Sequence, residues 1–193
     1  MTGTSNNSNE AFEKMLTANL QRVIDFLKFA EAKNAALLTI ASAWVIAIIN
    51  LIYSGKLLPG GLNTGAYFAL PFSICAGMLS MISFLPRTNL SWFVGGKHAW
   101  PHPNNLLYYG DISTLPLKTF EQDIRERYFP TAKQDLMDDN YIHDLIVQIS
   151  VNSQITMRKL KLFRYGITLI FIAAFIMLIP VLGLAIKMAK ELW

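Results

Sequence analysis

Three stretches of the chain run without a single charged residue: 35–53, 66–85 and 166–186. Each approaches the roughly 20 residues a helix needs to cross about 30 Å of hydrocarbon at 1.5 Å per residue. Only about 80 residues separate the second stretch from the third, too few to bury three such helices inside a soluble shell. The pattern therefore predicts an all-α integral membrane protein with three transmembrane helices and a small soluble region between the second and third.

Upstream of the first stretch, Phe12, Leu16, Leu20, Val23, Leu27 and Ala30 recur at steps of three and four, one apolar stripe on a helix over 10–34. Glu13, Gln21, Arg22 and Asp25 fill its other face, and Ser8 or Asn9 is placed to cap its start. No Gly or Pro separates this helix from the first span, so the two are read as continuous. Gly, Pro, Asn and Ser crowd 54–65, which closes the first two spans into an antiparallel hairpin. The second span carries Ala69, Ser73 and Gly77 at steps of four, and the first offers Ala43 and Ala47. Small residues at that spacing let helices approach closely in lipid, so these two sets are expected to face each other. Pro71 removes one helical hydrogen bond within the second span.

Beyond Pro86 the pattern shortens. The apolar, aromatic runs 90–94 and 106–109 flank a loop rich in Gly, Pro and His, an arrangement that admits a short β-hairpin. Thr114 and Pro116 then open a helix that runs to about Tyr128 and stops before Pro130. From about Asp139 the helical pattern has no breaker until Gly166. Ile142, Ile146, Ile149, Ser153, Thr156, Leu160 and Phe163 alternate steps of four and three, a coiled-coil-like seam with two hydroxyls in its middle. The same helix is expected to continue into the third span. The resulting plan is a cytosolic amphipathic helix over 1–34, spans over 35–54, 66–86 and 164–187, and a receiver region over 87–163.

Composition agrees: of 193 residues, 53% are hydrophobic and 16% charged, against about 25% charged in soluble domains. Charge also orients the chain. Lys14, Arg22, Lys28 and Lys33 precede the first span, and the segment between the second and third spans is rich in Lys and Arg. The first connection carries only Lys56. The positive-inside rule places the N-terminus and the receiver region in the cytosol and the C-terminus in the periplasm. Tyr53, Tyr67 and Trp193 then fall near the outer interface and Trp92 near the inner one. Residues 1–9 lack a basic start and an apolar core, so the first span is read as a retained anchor rather than a signal peptide. The net charge of +4 is explained by attraction to the anionic inner leaflet and does not argue for nucleic acid binding. The lone Cys75 lies inside the second span, where it serves packing.

Candidate chemistry is sparse. His143-Asp144 has the look of a metal-ligand pair, but such a site needs further ligands on other helices. The other histidines, His98 and His102, sit among Pro101 and Pro103. No phosphate loop, nucleophile elbow or dinucleotide fingerprint occurs, and nothing requires an enzyme or a bound metal. Tyr108 and Tyr109 are suited to stack on a base. Arg87, Arg125, Arg127 and Arg158 are each suited to hold a phosphate. Asp144, Gln148 and Asn152 line one face of the last helix, either as a solvated face or as a contact that changes on activation.

These residues carry a family resemblance. The run Asn105-Leu106-Leu107-Tyr108-Tyr109-Gly110-Asp111-Ile112, the stretch His143-Asp144-Leu145 to Gln148-Ile149, Asn152-Ser153 with Ile155 and Lys159, and Glu31-Ala32-Lys33 before the first span together resemble the transmembrane effectors of the Pycsar anti-phage system, the PycTM family. Asn34 stands where that family pattern leads one to expect a small residue. The resemblance extends over nearly the whole chain beyond residue 25. It implies an effector that responds to cyclic CMP or cyclic UMP made by a cyclase on infection, and that damages the bacterial inner membrane so the cell dies before phage are released. Under that reading Tyr108, Tyr109, Asp111, Arg125 and Arg127 are the candidate ligand site. Asp144, Gln148, Ile149, Asn152, Ser153 and Lys159 form the candidate coupling and oligomer helix. The expected partners are the cyclic pyrimidine nucleotide, the lipid bilayer and further copies of the chain. The SLATT effectors share the amphipathic helix and hairpin and predict a similar role. A small channel or transporter subunit should show ionisable groups within its spans, and the runs 35–53, 66–85 and 166–186 carry no Asp, Glu, Lys or Arg. A passive membrane scaffold is the third alternative.

Overall fold

A computed structural model describes residues 3–54, 61–85, 105–128 and 140–191. It has five helices among them: α1 (Gly3–Tyr53), α2 (Leu62–Phe84), α3 (Tyr109–Ile112), α4 (Leu117–Tyr128) and α5 (Asn140–Glu191). Of these, α1, α2 and α5 are long and apolar enough to cross a membrane. The amphipathic helix and the first charge-free run are one element, as their unbroken pattern predicts. That element starts at Gly3, upstream of both expected caps, Ser8 and Asn9. Of residues 106–109, read as a strand, the first three form a turn and Tyr109 opens α3, and no strand occurs among the described residues. The companion run 90–94, together with Arg87, Trp92, His98, His102 and Trp193, lies outside them.

The chain forms two compact units: Met1–Ala30 with Arg87–Lys159, and Glu31–Pro86 with Leu160–Trp193. In the first, Phe12, Leu16 and Val23 of α1 share a core with Ile142, Leu145, Ile146 and Ile149 of α5, Phe120 and Ile124 of α4, and Leu106 and Ile112. The seam of α5 therefore packs within its own chain. Ile149 is fully buried in this core: an apolar stripe seeks whichever apolar face is nearest, and α1 supplies one in the same chain. Asn19 sits in the same stripe of α1, and its amide donates to Leu106 O at 3.4 Å.

In the second unit the buried face of α2 is built from small residues: Gly65, Ala66, Ala69, Ser73, Ala76, Ser80 and Ser83. Lipid-embedded helices gain little from hydrophobic burial, so close approach and hydrogen bonding must hold them. Both are visible. Ser80 Oγ donates to Asn34 O at 2.5 Å, and a Cβ on Gly77 would lie 3.8 Å from Ala41 Cβ. Leu37, Ala41 and Ile48 of α1 are buried in this unit's core, with Trp44, Leu51 and Ile52 packed against it, whereas the expected Ala43 and Ala47 are exposed. A span apolar all round carries no polar face to reveal its rotation.

Pro180 lies inside α5 and cannot donate to the carbonyl of Ile176 four residues back. A Cβ on Gly65 would lie 3.4 Å from that oxygen and 3.2 Å from Pro180 Cγ, so the glycine gives α2 a close approach to the proline turn that a side chain would tighten. Outward, Phe68, Phe175 and Ile179 remain more than 60% exposed, as suits side chains that face acyl tails. Gly61, just before α2, has φ 78°, a left-handed conformation that glycine adopts without steric cost.

Candidate functional site

The turn from Asn105 to Thr114 is closed by its own polar side chains. Asn105 Oδ1 accepts from Leu107 N at 3.0 Å, and Asp111 Oδ2 accepts from Asn105 N at 2.8 Å. Asn and Asp favour such turns because a short side chain can replace a backbone partner. Leu106 and Ile112 anchor the turn from below, both fully buried. A Cβ on Gly110 would run into the Tyr108 ring, so any larger residue there would make that ring shift. Tyr109 packs its ring 4.7 Å from Phe26 of α1 and 4.6 Å from Tyr108. Burial, then the hydrogen bond and electrostatic interaction with Tyr108, push the Tyr109 phenol up to about 12. Tyr108 itself is 41% exposed and presents an aromatic face to solvent.

A second cluster lies where α4 meets the first turn of α5. Arg125 is 8% exposed and its Nη2 lies 2.9 Å from Glu121 Oε1. His143 Nδ1 approaches the same oxygen at 3.2 Å. Burial would raise the Glu121 carboxyl, but hydrogen bonds and electrostatic attraction from Arg125 and His143 outweigh it and hold the group below the ordinary carboxylate range. An ionised carboxylate only accepts, so the hydrogen between His143 and Glu121 sits on Nδ1.

Of the expected ligand residues, Tyr108 and Tyr109 adjoin each other in the turn. Asp111 holds that turn shut, and Arg125 is committed to Glu121. Arg127 is on the exposed face of α4. On α5, Asp144 and Gln148 are exposed, Ile149 and Ser153 buried, and Asn152 and Lys159 half-buried. Asn152 O accepts from Thr156 Oγ1 at 2.8 Å, while Ser153 Oγ is buried without a hydrogen-bond partner. His143 joins the Glu121 ion pair rather than a metal-ligand set, and no group of three metal-type ligands occurs among the described residues. Sequence reasoning missed Glu121, Phe26 and Asn19. The i,i+4 spacing of Glu121 and Arg125 was a readable signal; the approach of His143 and of Phe26 required the tertiary fold.

A family model described as the Pycsar effector protein domain, PycTM, matches residues 15–187. The Pycsar effector protein RsPycTM of a Rhizobium species is 35% identical over 175 residues, spanning 90% of this chain and 97% of that protein. No solved structure matches the chain.

Proposed function

This chain belongs to the Pycsar effector (PycTM) family and is thereby an anti-phage defence effector; from that premise we propose that it responds to cyclic CMP or cyclic UMP and disrupts the bacterial inner membrane, killing the infected cell. The observation that carries this reading is the span of the family match, 15–187, which takes in both compact units. The division of the chain supports it. One unit holds a polar cluster and an exposed tyrosine; the other is built from the helices able to cross a membrane. α5 starts in the first and ends in the second, which gives a ligand event a covalent route to the bilayer.

In the proposed arrangement the N-terminus and the Arg87–Lys159 segment are cytosolic, and the C-terminus is periplasmic, following the distribution of Lys and Arg. The cyclic nucleotide is received near the 105–114 turn and α4, with Tyr108 offered for stacking. Copies of the chain assemble, since three helices are too few to enclose a pore. The test pairs calorimetric titration of the purified protein with dye uptake by cells given a cyclic pyrimidine nucleotide. Binding of cyclic CMP or cyclic UMP together with dye uptake is the expected result. Uptake without binding, or saturation without uptake, would defeat it.

A further inference from the structure

Glu121, Arg125 and His143 meet at a single atom. Two nitrogen donors, one from α4 and one from the first turn of α5, converge on one carboxylate oxygen at 2.9 and 3.2 Å. Convergent N–H donors around one oxygen are what a phosphate oxygen asks of a site, and arginine suits it better than any other side chain. The occupant here is tethered. Glu121 is 23% exposed on its side chain while Arg125 is 9% exposed, so of the pair the carboxylate is the one nearer to solvent. Glu121, the more exposed of the two, can rotate into water without leaving a buried unpaired charge of its own.

We propose that Arg125 and His143 form a seat for a phosphodiester monoanion, which Glu121 occupies as an internal surrogate until the ligand displaces it. Charge favours the exchange: a carboxylate and a phosphodiester each carry one negative charge, so the seat keeps its electrostatic balance when one replaces the other. Displacement also removes a link between α4 and α5, because Glu121 joins His143 to α4. This deepens the proposed function by naming the ligand group and its receiving residues, and it rests on that reading only for the source of the phosphodiester. The same chemistry occurs in a cyclic nucleotide and in the headgroup of phosphatidylglycerol.

The experiment titrates the full chain in phospholipid-free detergent with cyclic CMP, cyclic UMP and, separately, inorganic phosphate. The wild type is compared with Glu121→Gln, Arg125→Lys and His143→Gln. Removing the surrogate charge should tighten cyclic nucleotide binding about tenfold in Glu121→Gln. Losing a donor should weaken it about fivefold in His143→Gln and Arg125→Lys. A purely structural clamp would instead lower the melting temperature of Glu121→Gln and leave every affinity unchanged, which overturns the seat while leaving the proposed function standing. If the wild type binds neither nucleotide, that function fails and the phosphate arm decides the seat. Thermal stabilisation by phosphate that is greater in Glu121→Gln than in wild type upholds it, and equal stabilisation overturns it. Repeating the titration in phosphatidylglycerol nanodiscs identifies the source: competition by the lipid assigns the seat to a headgroup, and undiminished affinity assigns it to the soluble nucleotide.

Discussion

Asp111 and Arg125 each have a contact within the chain that residue type alone does not reveal. Both belong to chemistry suited to a nucleotide, and both are engaged by their own chain, one with Asn105 N and the other with Glu121. The Asn105 to Asp111 spacing was legible as turn chemistry, since these two residue types close turns with their side chains. The aromatic run between them was not, because a short apolar run fits a strand or a turn equally until its contacts are known. Glu121 carries a clear pH consequence. Its carboxyl is held below the ordinary range, so its contribution to stability is present above the unfolded-state value, about 4.3, and is lost as pH falls through the lower folded value. Melting curves of the wild type should therefore drop more steeply below about pH 4.5 than those of Glu121→Gln; parallel curves would remove the ion pair from the account.

At the scale of elements, α1 and α5 were the most readable, because charge-free runs and seven-residue seams are strong periodic signals. What the pattern could not assign was the partner of each seam. The stripe of α5 reads alike whether it meets another copy or α1. With Ile149 fully buried in the core it shares with α1, Ile149→Asp should place an unpaired charge there and destabilise the Arg87–Lys159 unit by roughly 3 kcal/mol or more. Limited proteolysis should cut this variant faster than Asp144→Ala, whose site is exposed. The coupling role of α5 has its own test. Inserting two glycines after Asn152 should cost roughly 2 kcal/mol in helix propensity and rotate the following residues by about 200°. The insertion leaves Ile142, Ile146 and Ile149 in place, so the variant should bind nucleotide and enter the membrane, yet lose killing. Killing at the parent's efficiency would mean that α5 is not the transmitter.

For the whole molecule, the division of labour follows from where polar groups sit. The Glu121 cluster and the tyrosine turn belong to one compact unit, while the small-residue packing of α2 belongs to the other. Reporter fusions test the proposed orientation: a tag after Trp193 should report the periplasm and one inserted near Gly96 the cytosol. Both tags on the same side would break the three-span topology. The central claim, that a cyclic pyrimidine nucleotide turns this chain against the bilayer, is tested most directly by dye release from proteoliposomes holding only the purified protein. The account predicts release on adding cyclic CMP or cyclic UMP to the face that carries the Arg87–Lys159 unit, none without nucleotide, and none from protein-free vesicles. Intact vesicles at nucleotide concentrations that saturate binding, or equal leakage with and without nucleotide, would contradict it.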